Sequence, residues 1–357
     1  YRRISEQFRD SLTFLSTKKI RLPIYDFYQY KSILVCLCLY KKGIEMKIAK
    51  NTIAVIGAVS KDIIIQKQYG KTNIQTGGAV YYTSQTFAVL DTHVTAIPML
   101  SKKDSLLLDA FNTRFIQLQP FWANHSTSFE LLYPDEMLNR REIFLKETAG
   151  SFSYDEEIFA DLKDYSIVHL GPLNYEEMPT AFIKKIRENT KGILSLDAQG
   201  IIRLANNEKI IYQCPKDIGE YLQCIDVLKV DRDEAAIITG EEDPYKAISA
   251  LIQFGIKEIL VTMENRGSLV YGNGKFFSIK AVQPKKVVDT TGCGDTYTAS
   301  YLSHRFYGFD IEESANFASL ISSKKVENLG PVKRDRISKA LPLRNSFIEN
   351  RDVAASL

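Results

Sequence analysis

The sequence shows no excess charge of either sign. Lys and Arg number 46 against 43 Asp and Glu, a net +3 over 357 residues. So even a balance makes no electrostatic case for nucleic acid or an anionic membrane as partner, since both require a concentrated basic patch. Long apolar runs are also missing. The longest near the start, Ile33 to Tyr40, has eight residues. That is far short of the ~20 needed to span a bilayer, and it lies behind too many polar residues to read as a signal peptide. The five cysteines (Cys36, Cys38, Cys214, Cys224, Cys293) include no CxxC pair, and the four histidines do not cluster with them. This argues against a zinc site. The odd count fits no disulfide framework, so a reducing cytoplasm is the expected compartment. The sequence has no internal repeat, and no GxGxxG follows the first apolar strand, as a dinucleotide enzyme would need.

The remaining composition, 45% hydrophobic and 25% charged, is that of an ordinary soluble globular chain. Its length suits two domains of ~150 residues or one large α/β domain with an appendage. The chain opens on Tyr1, and Met46 opens a segment that leads into the first strand. Residues 1–45 therefore read as an appendage, or alternatively as a small interaction element. The folded domain is expected over 46–335, with a tail over 336–357.

The β-branched run 52–59 predicts a buried strand. A helix (79–90), a strand (93–99), a helix (104–112) and a strand (115–119) follow. Segments 128–133 and 141–146 read as two strands joined by a turn near Asp135 to Arg140. Then the βα rhythm is regular. Strands fall at 166–170, 193–197, 227–230 and 258–262, and helices at 155–163, 176–189, 232–239 and 244–254. A hairpin (268–271 with 275–280) and helices 295–307 and 311–327 complete the domain. Strands alternating with helices imply a parallel sheet covered on both faces, with ligands beyond the carboxyl ends of its strands.

The most informative stretch runs Asp289-Thr-Thr-Gly-Cys-Gly-Asp-Thr296 into a helix that stops near Gly308. Free amides of Gly292, Cys293 and Gly294 at a helix N-terminus would make an anion site. A carboxylate on that turn, Asp295, is unwelcome for anion binding alone. It makes sense as a base that accepts the proton of an attacking hydroxyl while the amides hold developing charge. Taken alone, Gly-Cys-Gly-Asp also reads as a tight turn with Asp295 as a helix cap.

The whole string resembles the Asp-Thr-x-Gly-Ala-Gly-Asp signature of the ribokinase (PfkB) carbohydrate kinase family, with Cys293 in place of Ala. The resemblance covers roughly 52–330. Gly57-Ala-Val-Ser-Lys-Asp62 matches the family's Gly-x-x-x-x-Asp strand end, and Gly77-Gly78 its glycine pair. It implies a three-layer α/β/α sandwich with a mainly parallel sheet and a small β-strand lid near 62–78 and 125–148. ATP would be the phosphoryl donor, and a sugar, a polyol such as inositol, or a nucleoside the acceptor. Asp295 would be the base, and Asp62, Gly77 and Gly78 would hold the substrate. Thr262 and Gly267, of Thr262-Met-Glu-Asn-Arg-Gly267, together with Asn316, would hold the nucleotide. Asn316 also reads as an ordinary exposed helix residue.

Glu234 matches the acid of the family's Asn-x-x-Glu segment and would reach Mg²⁺ through water. Asp231 stands where that segment has Asn. Asp289 and Thr291 match part of a monovalent-cation site, which implies stimulation by K⁺. A homodimer through the lid is compatible with the resemblance. Glu264 replaces a glycine, and an acid beside phosphates reads as turned away. Tyr82 stands where ribokinase itself has Asn, which argues against ribose. The segments around His169 and from Leu196 to Arg203 resemble the inositol- and sugar-kinase-like branch. A helix N-terminus lowers a thiol pKa, while Asp295 two residues away pushes it up. Alkylation of Cys293 would place bulk where the γ-phosphate must sit, so it is expected to inactivate and ATP to protect. The competing reading is a non-catalytic sugar or nucleotide binder on the same fold.

Overall fold

The computed structural model describes residues 53–66, 71–111, 113–133, 142–206 and 208–338. The expected appendage, the turn near Asp135 to Arg140 and the tail beyond 338 lie outside them. In chain order the strands are β1 (Ile53–Ala58), β2 (Ser60–Gln66), β3 (Lys71–Gly77), β4 (Val94–Ser101), β5 (Ile116–Leu118), β6 (Phe121–Ala123), β7 (Thr127–Tyr133) and β8 (Glu142–Glu147). They continue as β9 (Ile167–Leu170), β10 (Ile193–Asp197), β11 (Arg203–Asn206), β12 (Lys209–Tyr212), β13 (Val227–Asp231), β14 (Glu258–Thr262), β15 (Ser268–Gly272) and β16 (Lys275–Ile279). The helices are α1 (Ala79–Val89), α2 (Glu156–Phe159), α3 (Thr180–Asn189), α4 (Ile218–Leu222), α5 (Arg232–Thr239), α6 (Pro244–Ile252), α7 (Cys293–Phe306), α8 (Ile311–Val326) and α9 (Arg334–Ile337).

Ten strands form the central sheet, in the order β16-β15-β14-β13-β10-β9-β1-β4-β5, with β6 also on β4. From β14 to β4 each neighbouring pair is parallel, and the terminal hairpin β15–β16 beyond β14 is antiparallel. Every residue of β1 and β4 is buried, as expected of strands covered on both faces. The pleat splits β1 between two cores. Ile53 and Val55 pack with α1, α7 and α8, while Ala54, Ile56 and Ala58 belong to the cluster that contains α3, α4 and α6. This is the three-layer arrangement implied by the sequence.

A second, six-stranded sheet has the order β11-β12-β8-β7-β2-β3. It is antiparallel except for the β2–β7 pair. Its β11–β12 hairpin was not foreseen. Four-residue strands in 203–212 carry too short an alternation to announce themselves.

Several expected helices are broken. The helix expected over 176–189 is a 3₁₀ turn (Tyr175–Glu177) followed by α3. Pro179 forbids helical conformation at Met178, which takes φ −125°, ψ 83°. Residues 102–111 form 3₁₀ turns, as do 160–164 after the four-residue α2. Elsewhere local signals hold. Asp310 and Glu313 close a capping box on α8, and Gly240 ends α5 at φ 77°. No helix among the described residues is long and apolar enough to cross a membrane.

Candidate active site

A cavity of 830 Å³ opens at the carboxyl ends of the central strands. Asp197 ends β10, Asp231 ends β13 and Thr262 ends β14, and all three line it. The small sheet contributes Asp62, Phe129, Leu131, Ile143 and Arg203 to its walls. The loop before α7 and the first turn of that helix contribute Thr290 to Asp295.

Gly292 is the N-cap of α7, with φ 77° and no side-chain cap. A Cβ there would lie 2.2 Å from the Tyr82 ring, so neither the conformation nor the space admits another residue. The reading of Asp295 as a helix cap therefore fails. The Cys293 N–H, expected to be free, donates to Thr290 O at 3.2 Å and closes the turn. Among the three loop amides this leaves Gly292 and Gly294 to face an anion.

The carboxyl of Asp295 is pushed up to about 7. Burial is the main cause and the Asp197 carboxylate adds to it, while Lys229, Arg203 and its own N–H oppose it. Lys229 is a cavity residue that sequence reasoning missed. It is 3% exposed, with Nζ 3.3 Å from Asp197 Oδ2 and 3.7 Å from Glu234 Oε2. Burial works against its charge, but Asp197, Glu234, Asp231 and Asp295 outweigh that and hold it protonated. A Cβ on Gly294 would lie 2.9 Å from Nζ. The second glycine of the loop thus lets this ammonium stand beside the anion site. The only hint in the sequence was a lysine two residues before Asp231 at a strand end.

Glu234 is buried. Its Oε2 accepts the Asp231 N–H at 2.7 Å, and Asp231 Oδ1 accepts the Glu234 N–H at 2.7 Å. Burial raises its carboxyl to about 7, against the pull of Lys229. Asp231 faces the cavity and Glu234 stands behind it. No group of three His, Cys, Asp or Glu side chains suited to a metal occurs among the described residues. The carboxylates of Asp231 and Glu234 are of the kind that suits Mg²⁺, which keeps its waters and binds through one or two carboxylates plus phosphates.

At the lid end, Asp62 is 6% exposed and accepts the Ser60 hydroxyl at 2.7 Å. Gly77 does not line the cavity. Its role is steric, because a Cβ there would fall 2.1 Å from Asp62 Oδ2. Gly78, at φ 97°, does line it. The Tyr82 hydroxyl is buried without a hydrogen-bond partner.

At the other end Thr262 and Gly267 line the cavity. Glu264 is exposed on the cavity rim rather than turned away, and it takes φ 51°, the conformation a glycine would favour. Asn316 is a correction. It is exposed, bonds back to Glu312 O at 2.9 Å and lies outside the cavity wall. The residues of α8 that do line the wall are Ser319, Ser322, Ser323 and Val326, one to three turns further along. Asp289 also lies outside the wall, and its carboxylate is engaged by Lys325 and by the N–H groups of Thr291 and Gly330.

An ATP-dependent 6-phosphofructokinase of Thermoanaerobacterium thermosaccharolyticum is 23% identical over 218 residues, which is 59% of this chain and 65% of that one. A ribokinase of Arabidopsis thaliana is 31% identical over 120 residues, 32% of each chain. The match spans less than two thirds of either relative. A solved pyrophosphate-dependent kinase of the ribokinase family, complexed with a pyrophosphate analogue and myo-inositol, is 31% identical. That comparison covers 81% of this chain and all of the other, with a TM-score of 0.70. The profile of the pfkB family carbohydrate kinases matches residues 52–335. With most of its length matched, this chain belongs to the pfkB family of carbohydrate kinases.

Proposed function

We propose that the chain transfers the γ-phosphoryl group of ATP to a hydroxyl of a sugar or polyol, with Asp295 as general base. The observation that carries this reading is a carboxyl raised to about 7 at the uncapped N-terminus of α7, on the wall of the cavity. A base poised near the working pH sits beside amides aimed at developing negative charge. The acceptor would lie under the lid sheet, its hydroxyls bonded by Asp62 and its ring against the backbone of Gly78. As the acceptor oxygen bonds to the γ-phosphorus, its proton passes to Asp295 and the bridging oxygen leaves with ADP. The amides of Gly292 and Gly294 and the Lys229 ammonium face the charge that builds on the transferring group. Magnesium, when bound, neutralises charge on the phosphates. Asp231 would hold it, and Glu234 would steady Asp231 and reach the ion through water.

A second donor has a specific observation in its favour, the likeness to a pyrophosphate-dependent kinase. The far end of the cavity supports ATP instead. Val282 and Val287 line it while 38% and 57% exposed, beside Pro284 and Val326. An uncovered apolar shelf suits a purine and has no use in holding pyrophosphate. Turnover with ATP and with pyrophosphate, each against a panel containing myo-inositol, ribose and other sugars, tests both. Phosphorylation with ATP is expected. Turnover with pyrophosphate alone would replace the donor, and saturable polyol binding without any turnover would return the chain to a binding role.

A further inference from the structure

A second buried lysine stands on the opposite side of the phosphate loop. Lys325, from the last turn of α8, is 0% exposed. Its Nζ donates to Asp289 O at 2.9 Å, to Asp289 Oδ2 at 2.9 Å and to Asn328 O at 3.4 Å. An ammonium has three protons, and these acceptors use all of them. Two of the three are main-chain carbonyls. A carboxylate with carbonyl oxygens is the ligand set of a monovalent cation, and an ammonium group is close to K⁺ in size. Asp289 is also the residue that the sequence resemblance assigns to a K⁺ site. Its backbone oxygen and Oδ2 are taken by Lys325 and its Oδ1 by the Thr291 N–H, so the residues present do not fit a separate K⁺ at that carboxylate. Asp289 Oδ1 meanwhile accepts the Thr291 N–H at 2.9 Å and so shapes the loop directly. The Lys325 charge is felt inside the loop, at Cys293.

We propose that Lys325 is a built-in cation that takes the place of a monovalent ion behind the phosphate loop, so that catalysis needs no K⁺. The inference rests on the phosphotransferase reading for its kinetic arm only. An external ion adjusts the loop according to its concentration, whereas a tethered ammonium holds Asp289 and the loop in one arrangement at all times.

The test uses the full chain in tetramethylammonium chloride and in KCl at equal ionic strength. The wild type is expected to turn over at rates within about 2-fold in the two salts and to melt at the same temperature, since no ion binds the native state selectively. Stimulation of about 10-fold or more by K⁺, or a K⁺-specific rise in Tm, overturns the proposal. Lys325→Ala opens the oxygen cage. It is expected to lose about 10²-fold in kcat without K⁺, the scale of one lost electrostatic stabiliser. K⁺, Rb⁺ or NH₄⁺, but not Li⁺, should restore about 10-fold of that loss. A folded variant as fast as wild type without K⁺, or one that no ion restores, overturns the proposal. If the variant does not fold, the wild-type melts still decide. A chain with no turnover on any donor breaks the phosphotransferase reading, while those melts, which need no turnover, continue to test the lysine.

Discussion

Two buried lysines flank one loop, and their surroundings give them different work. Lys229 faces side-chain carboxylates at long distances, 3.3 Å to Asp197 and 3.7 Å to Glu234, and it lines the cavity. Lys325 spends every proton on Asp289 and Asn328 behind the loop. A saturated ammonium can shape a loop but has no donor left for a ligand. Lys229 makes one such bond, to Asp197 Oδ1 at 3.4 Å, and so keeps protons that can turn to a phosphoryl group. Burial alone does not separate the two roles; the number and distance of the acceptors does.

The largest expected effect falls on the carboxylate between them. Asp295→Asn should keep ATP binding and lower kcat by at least ~10²-fold, the lower end for loss of a general base. Equilibrium binding beside steady-state rates checks it, and a variant within a few-fold of wild type would remove Asp295 as base. Lys229→Met should cost about 10²-fold in kcat, the low end for one lost donor to developing charge. It should also move the pH–rate profile to higher pH, because Lys229 holds the Asp295 carboxyl down. Loss of rate with an unmoved profile would give Lys229 a purely structural place.

The pH dependence of the wild type follows from the same group. Asp295 ionises near 7 in the fold and near 3.8 as a free side chain. The rate should therefore rise with pH through about 7 as the base form appears. Stability has the opposite sign. Between those two values the native state keeps a proton that the unfolded chain has lost, so this group makes stability fall as pH rises. Asp295→Asn should lack that fall, and its Tm advantage over wild type should grow from pH 4 to pH 7. A constant difference would show that the carboxyl is not raised.

The smallest effect belongs to Cys293. Its thiol was expected to feel two opposed pulls, down from the helix N-terminus and up from Asp295. In the structure burial pushes it up to about 11, with Asp289 and Asp295 raising it further against Lys325. Iodoacetamide at pH 7.5 should therefore inactivate the wild type slowly, and Cys293→Ala should stay within a few-fold of full activity. Rapid inactivation that ATP prevents, absent in Cys293→Ala, would restore the acidified thiol.

The sequence by itself determined the layered α/β fold and the position of the glycine turn before α7, because both rest on local patterns. Buried parallel strands read as continuous apolar runs, and a glycine turn before a helix announces itself within eight residues. Asp62 and Gly78 were placed at the cavity by equally short motifs, whereas Gly77 lies outside its wall. Asn316 was misplaced because a helix residue's direction depends on how α8 rotates against α7, and no short motif records that. The β11–β12 hairpin, and with it Arg203 at the cavity, escaped because strand pairing between distant segments leaves little local trace. The two lysines were the hardest to see. Lys229 and Asp197 are 32 residues apart, and Lys325 and Asp289 36. Only the tertiary structure closed those distances and removed the water around them, and so decided which ammonium keeps protons for a ligand and which is locked into the frame.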